Sequence, residues 1–97
     1  MMHKLQNCKK IALTGELDHH TASEWRDKLD RQIGAKKQDI LLDFAGVTLM
    51  DSSGIGLVIG RYKKLKERGC TLYVTNLNKQ IDRVFSLSGL YNIAKKV

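Results

Sequence analysis

The chain has 97 residues, of which 42% are hydrophobic and 28% are charged, and these are ordinary values for one soluble globular domain. Its apolar runs are far shorter than the roughly 20 residues of a membrane helix. Its first ten residues, "MMHKLQNCKK", lack the apolar segment of a secretory signal. We therefore expect a cytoplasmic domain over residues 1–97 with no membrane partner. The net charge of +7 raises nucleic acid or an acidic protein as a partner, although the basic residues are spread along the chain.

The first half of the chain predicts a strand followed by a helix. "KIALTG" (10–15) is a short apolar run that predicts a strand, paired as a hairpin with "MHKL" (2–5), and "GELDHH" (15–20) predicts a loop. "TASEWRDKLDRQIG" (21–34) predicts a helix that Thr21 and Glu24 open as a capping box and that Gly34 closes. The apolar residues of this helix recur at helical spacing and are Ala22, Trp25, Leu29 and Ile33.

The second half repeats the alternation of strands and helices. "DILLDF" (39–44) and "TLYVT" (71–75) predict buried strands, and "SGIGLVIGRYKKLKERG" (53–69) predicts a helix between them. A further helix is predicted from Asn78 to Leu87 with Gly89 as its stop, and "YNIAKKV" (91–97) predicts a last short strand. Short links between the elements favour parallel crossovers, so we predict an α/β fold in which helices pack on a small, mixed but mostly parallel sheet.

Two cysteines, Cys8 and Cys70, lie far apart in strand-like stretches. They have neither the spacing of a metal site nor a CxxC arrangement. We therefore expect two buried or half-buried thiols with no catalytic or metal-binding role.

The helix over 53–69 has three distinct flanks when its residues are placed at 100° intervals. The predicted core stripe consists of Ile55, Val58, Ile59, Tyr62 and Leu65. The flank predicted to face water consists of Leu57, Arg61, Lys64 and Arg68. Gly56 and Gly60 lie on a third flank, where either a docking partner or another segment of the chain would explain two glycines inside a helix.

"MDSSGIG" (50–56) at the start of that helix admits several interpretations. Asp51, Ser52 or Ser53 would serve as an N-cap, with Gly54 letting the chain turn. A dinucleotide site is disfavoured because "GIGLVIG" is one residue longer than the fingerprint, and a hydrolase is disfavoured because G-x-S-x-G lacks its first glycine in both registers. A serine at an exposed helix start would also be open to phosphorylation, since the helix end tolerates a phosphate.

Three segments resemble the anti-sigma factor antagonists, which are single-domain proteins of the STAS fold family, and the sporulation members above all. These segments are "LTGELDHHTA" (13–22), "MDSSGIGLVIGRYKKLKERG" (50–69) and "FSLSGLYNI" (85–93). The resemblance implies a partner-switching protein and not an enzyme, with no cofactor and neither catalytic nor metal-binding residues. It implies that the unphosphorylated form binds an anti-sigma factor that is itself a serine kinase, which frees the sigma factor. Phosphorylation by this kinase then ends the complex, and a serine phosphatase restores the unphosphorylated form.

The same resemblance assigns roles to individual residues. It implies that Ser52 is the phosphorylated serine, with Asp18, Asp51, Ser53 and Gly54 around it and Ser53 capping or positioning the helix. The partner-binding residues that we expect are His19, Thr21, Ile55, Leu57, Arg61 and Lys64. Family members usually continue past the last strand into a C-terminal helix, so this helix is expected to be missing or short here.

Two rival functions stay open at this point. One is a STAS-type scaffold that is never phosphorylated. The other is a small nucleic-acid-binding domain whose cations would be Arg61, Lys63, Lys64, Lys66, Arg68, Lys95 and Lys96. Because Tyr62 is predicted to lie on the core stripe, no aromatic side chain is expected to stack bases beside these cations, and we expect no direct nucleic-acid partner.

Overall fold

The computed structural model describes residues 7–97, and within them strands and helices alternate along the chain. The elements are β1 (Lys9–Leu17), α1 (Ala22–Ile33), β2 (Ile40–Met50), α2 (Ser52–Glu67), β3 (Leu72–Thr75), α3 (Lys79–Ser88), a 3₁₀ turn (Leu90–Asn92) and β4 (Lys95–Lys96). The predicted hairpin strand over 2–5 lies outside the described residues. Of the helices in 7–97, none is long and apolar enough to span a bilayer.

The four strands form one sheet in the order β1-β2-β3-β4, and each of the three pairings is parallel. Parallel neighbours need a crossover connection, and the intervening helices supply it. The predicted α/β fold is therefore confirmed, and within 7–97 the sheet is wholly parallel rather than mixed. The predicted last strand is present as the two residues of β4.

Strands β1 and β2 are longer than predicted. The sequence placed the end of β1 at Gly15 and the end of β2 at Phe44, whereas the strands continue to Leu17 and Met50. The pairing of β1 with β2 shifts register between Ala12 and Thr14 and again between Gly15 and Glu16. Gly15 has φ +77°, which glycine adopts without strain, so it sits at a bulge inside the strand and not in the predicted loop.

The core lies on one face of the sheet. The register places Ile11, Leu42 and Val74 in one row across β1, β2 and β3, and all three are buried. Each helix contributes buried side chains to this cluster: Leu29 and Ile33 from α1, Val58 and Leu65 from α2, and Ile81 and Phe85 from α3. Phe44 and Phe85 meet edge to face with ring centroids 5.4 Å apart, a preferred aromatic geometry.

The two cysteines are free and half-buried, as predicted. Burial, with a smaller contribution from the nearby Asp39 carboxylate, raises the pKa of the Cys8 thiol. Because the thiolate is the reactive form, this environment lowers the reactivity of Cys8 at neutral pH.

The start of α1 differs from the predicted capping box. Thr21 already has helical backbone angles (φ −106°, ψ −15°), and its side chain makes no cap hydrogen bond. The Thr21 hydroxyl instead donates to the Glu16 carbonyl at 2.7 Å. The Asp18 carboxylate accepts from the backbone N–H groups of His20 (2.9 Å) and Thr21 (3.2 Å), so the turn before the helix is organised by Asp18.

The ends of α3 agree with the sequence. The Asn78 side chain accepts from the backbone N–H of Ile81 at 2.9 Å, and Gly89 ends the helix in the left-handed conformation with φ +80°.

Beyond Gly89, a cluster of three side chains ties the end of the chain to α3. The Tyr91 hydroxyl donates to the Asp82 carboxylate, and Lys96 Nζ lies 3.0 Å from the same carboxylate. The hydrogen bond from Tyr91, followed by the contact with Lys96, lowers the pKa of Asp82 below its ordinary value. Burial and the Asp82 carboxylate raise the pKa of Tyr91 to about 12. The ionised form of Asp82 therefore stabilises the packing of the 3₁₀ turn and β4 on α3.

The Asp82 cluster predicts a pH-dependent effect of Asp82→Asn. The pKa of Asp82 is lower in the folded protein than in the unfolded chain, where it lies near 3.8. Ionised Asp82 therefore stabilises the fold at pH values above 3.8, and this stabilisation is lost as the pH falls through the folded pKa. The variant should therefore melt below the unmodified protein at pH 7, and the difference should shrink as the pH falls below 3.8. Thermal unfolding followed by circular dichroism measures this. Asp27→Asn, on the exposed side of α1, is the control, and an Asp82→Asn effect of equal size at pH 7 and pH 3 would contradict the assignment.

Candidate functional site

The carboxyl ends of β1 and β2 lie side by side and bring the two motif segments together. Leu17 and Met50 are the last pair of the ladder, and the backbone N–H of Asp51 donates to the Leu17 carbonyl at 3.2 Å. The loop over 18–21 follows one strand directly and α2 follows the other. Asp18 and Ser52 therefore both follow directly from the carboxyl ends of neighbouring strands.

Asp51 caps α2. Its carboxylate accepts from the backbone N–H of Ser53 at 2.8 Å, and its carbonyl accepts from Gly54 at 3.0 Å and Ile55 at 3.2 Å. Of the three candidate caps, Asp51 is therefore the N-cap, because it has the extended backbone that an N-cap requires, and Ser53 does not cap the helix. Ser52 is the first residue of the helix and is exposed.

Gly54 is required for close packing and not for a turn. A Cβ atom at this position would lie 2.7 Å from Met50 Cγ, 3.0 Å from the Leu17 carbonyl oxygen and 3.2 Å from Leu17 Cβ. The residue is not among those with positive φ. Its missing side chain lets the first turn of α2 rest against the ends of both strands.

The field at the start of α2 favours an anion. Ser52, Ser53 and Gly54 leave the first turn without an acidic side chain, and the N-terminus of a helix carries a partial positive charge. The nearest carboxylates are already engaged, since Asp51 bonds to Ser53 and Asp18 bonds within its own loop. Ser52 thus combines exposure with a helix end that accommodates negative charge.

The buried face of α2 is rotated relative to the prediction. The buried residues are Gly54, Leu57, Val58, Arg61 and Leu65. Ile55, Ile59 and Tyr62, which were predicted to belong to the core stripe, are half-buried and pack against the core cluster. The prediction that Leu57 and Arg61 face water is wrong, since each is 5% exposed. The reason is that α2 packs against α1 as well as the sheet, which encloses a flank that looks polar on a helical wheel.

Arg61 is buried because α1 supplies a counter-charge. Arg61 Nε lies 3.1 Å from Asp30 Oδ1, and Lys64 Nζ lies 3.2 Å from Asp30 Oδ2. The Arg61–Asp30 contact is ionic rather than hydrogen-bonded, because its two atoms are poorly aligned. Arg61 Nε, Arg61 Nη1 and Asp30 Oδ1 therefore have no hydrogen-bond partner among the described residues. Burial lowers the pKa of the Arg61 guanidinium. The positive charge of Arg26 lowers this pKa further, whereas the Asp30 carboxylate raises it. These pairings also remove Arg61 and Lys64 from the exposed basic ridge that a nucleic-acid site would need.

A groove of about 410 Å³ separates the starts of α1 and α2. It is lined by His19, Ala22, Ser23, Arg26, Ser53, Gly56, Leu57 and Arg61. Ser23 and Arg26 were not predicted as site residues, because they are exposed residues of α1 that only the packing of the two helices brings opposite Ser53. No local pattern in the sequence distinguishes them from other polar residues of that helix.

The remaining predicted partner-binding residues differ in exposure, and Lys64 lies in the last turn of α2, far from the start of the helix. His19 is exposed, and its ring lies 3.9 Å from that of His20. Thr21 and Ile55 are half-buried, and the hydroxyl of Thr21 is engaged within its loop. Lys64 is half-buried and paired with Asp30. His19 and Ile55 therefore remain the most available of the predicted contacts.

Gly56 and Gly60 face open space. A Cβ atom at either position would have no neighbour within 4 Å. No other segment of the described chain therefore explains them, and the flank that they share is bare.

Comparisons with known proteins agree with this architecture. The sequence model of the STAS domain matches residues 1–97. The chain is 37% identical over 84 residues to the anti-sigma F factor antagonist of Paenibacillus polymyxa, covering 86% of this chain and 72% of that protein. It is similar to the structure of the anti-sigma factor antagonist SpoIIAA in its unphosphorylated form, with 33% identity, a TM-score of 0.72 and coverage of 95% and 81% of the two chains. The structure of the Bacillus cell fate determinant SpoIIAA in the phosphorylated form matches with 33% identity, a TM-score of 0.64 and coverage of 95% and 84%.

The packing of Gly54 predicts opposite effects for two alanine substitutions in α2. Gly54→Ala should lower the free energy of unfolding by about 1–3 kcal/mol, because the new methyl group would overlap Met50 and Leu17. Gly60→Ala is the matched control and should raise the free energy of unfolding by about 0.5–1 kcal/mol. Alanine is favoured over glycine in the middle of a helix, and the new methyl group would meet no other atom within 4 Å. Urea unfolding measures both, and equal signs would contradict the packing argument.

Proposed function

The chain belongs to the STAS domain family, and we propose that within this family it acts as an anti-sigma factor antagonist, a regulatory binding protein rather than an enzyme. The support is the 37% identity to a relative of that name and the similarity to SpoIIAA over 95% of the chain. The partner that this function implies is an anti-sigma factor.

The proposed activity is a cycle of binding and modification. The unphosphorylated chain binds an anti-sigma factor that is also a serine kinase, and this binding releases the sigma factor. The kinase then phosphorylates Ser52, the modified chain dissociates, and a phosphatase returns it to the binding form. That SpoIIAA has been solved in both unphosphorylated and phosphorylated forms supports a modification step in this type of protein.

The observation that carries the choice of Ser52 is its exposure at the first position of α2. A kinase needs a serine hydroxyl that it can reach and that the fold does not require. Asp51 makes the capping hydrogen bond, so the helix start does not depend on the Ser52 side chain. Ser53 is the weaker candidate, because it is half-buried and faces the groove.

A phosphate on Ser52 should leave the fold nearly unchanged. It adds about −1.5 to −2 charges beside Asp51 and Asp18, and two unit charges 4 Å apart repel by roughly 1–4 kcal/mol between water-like and surface dielectric. The helix N-terminus returns about 0.3–2 kcal/mol, so the two effects are of similar size. The switch would then act at the interface, where a dianion replaces a small hydroxyl.

The proposed interface is centred on Ser52. It takes in His19 on the neighbouring loop, Ile55 one turn into α2 and the bare flank at Gly56. Leu57 and Arg61 support this surface from beneath, since both are buried. Losing a thousandfold in affinity requires only about 4 kcal/mol, which one desolvated and unpaired phosphate can supply.

Substitutions at Ser52 test the interface. Ser52→Ala should retain affinity for the anti-sigma factor, because the hydroxyl is not needed for capping, whereas Ser52→Asp should bind at least about tenfold more weakly because it places a charge at the contact. Ser86→Asp, on the exposed side of α3, is the control for an added charge and should bind normally. Calorimetric titration with the purified partner measures this, and equal affinities for the two Ser52 variants would count against the proposal.

Incubation with the cognate kinase and ATP tests the modification itself. The intact chain should gain the mass of one phosphate, and Ser52→Ala should gain none. A chain that binds the anti-sigma factor and takes up no phosphate would instead be an unmodified scaffold. Phosphate transfer to Ser52→Ala would assign the modification to another residue.

A further inference from the structure

We propose that the groove between the starts of α1 and α2 binds a phosphate-type oxyanion. Ser52 is not among the residues that line the groove, although the groove shares His19 and Gly56 with the proposed interface. Binding of inorganic phosphate can be measured without the anti-sigma factor or a kinase.

Arg61, in the wall of the groove, has donors that an oxyanion would satisfy. Its side chain is 6% exposed, and Nη1 is buried without a hydrogen-bond partner among the described residues. The carboxylate of Asp30 balances its charge from outside the groove, but that contact is ionic and is shared with Lys64. A guanidinium has five N–H donors, and donors left unpaired in a buried position cost free energy that an oxyanion would offset.

The charged residues that line the groove also favour an anion. Arg26 and Arg61 are the cationic members of the lining, and none of the described residues that line the groove is acidic. Two arginines of like charge facing one space repel each other, and an anion between them removes that repulsion. Arginine is also the side chain whose planar fork best matches the oxygens of phosphate.

The N-terminal turns of two helices border the groove. Ala22 and Ser23 belong to the first turn of α1 and Ser53 to the first turn of α2, so two positive helix ends meet at the groove. The backbone N–H groups of Ala22 and Ser53 already have acceptors, Asp18 and Asp51. The hydroxyls of Ser23 and Ser53, together with the two guanidinium groups, are thus the donors that we assign to the ligand.

The size of the groove fits this class of ligand. Its volume of about 410 Å³ holds a phosphate group with water or with a small organic substituent. Gly56 forms part of the wall, and a Cβ atom there would meet nothing within 4 Å. The missing side chain keeps the mouth of the groove open beside Ser53.

Titration of the full chain with inorganic phosphate tests the inference. Backbone amide shifts in NMR spectra should saturate at Ser23, Ser53 and Gly56, with a dissociation constant in the millimolar range. Sodium chloride at the same ionic strength should not reproduce them. Shifts that never saturate, or that chloride reproduces, would overturn the proposal.

Two matched pairs of variants locate the site. Gly56→Asp places a carboxylate at the groove and should weaken phosphate binding at least about tenfold. Gly60→Asp is its control, because a Cβ atom there also meets nothing within 4 Å but the residue does not line the groove, and it should change phosphate binding less than about twofold. Arg26→Gln should weaken binding more than Arg31→Gln, which removes the same charge from an exposed residue further along α1. Equal losses within either pair would show a response to net charge alone and would contradict the assigned groove.

Discussion

The close approach of α2 to the ends of β1 and β2 is the constraint on which the candidate site depends. The Asp51 N–H meets the Leu17 carbonyl at 3.2 Å, and the absence of a side chain at Gly54 lets the helix start against Leu17 and Met50. A side chain at position 54 would push the first turn of α2 away from these two residues. The exposure of Ser52 follows from the same contact, because the turn is anchored through the residues on either side of it.

The second determinant is a charged contact between helices. Arg61 of α2 and Asp30 of α1 form an ion pair at a position in the helix interface where apolar side chains would otherwise pack. A buried ion pair is weak evidence for added stability, since desolvation offsets much of its attraction. Its effect here is on placement, because the pair fixes which flank of α2 turns inward and which flank, with Gly56 and Gly60, stays bare. The same pair leaves a guanidinium only partly satisfied beside the groove.

Much of this arrangement could be read from the sequence, and the exceptions share one cause. The element order, the caps at Asn78 and Gly89 and the position of Ser52 depend on local patterns that turn and helix chemistry determine directly. The burial of Arg61 depends on Asp30, which lies about thirty residues away and carries no local signal of its role, and the burial of Leu57 depends on the packing of α2 in the core. The length of β1 was underestimated because Gly15 looks like the start of a loop, although here it forms a bulge, and β2 continues past Phe44 because it pairs with this longer β1 as far as Met50. Long-range pairing decided each of these cases.

The capping of α2 by Asp51 has a consequence for the lifetime of the protein. Because the helix start is stabilised by a residue that the proposed kinase does not touch, chains with and without phosphate should resist proteases about equally. A cell could then hold a reserve of either form without one being degraded faster. The ratio of the two forms would then depend only on the activities of the proposed kinase and phosphatase and not on protein degradation.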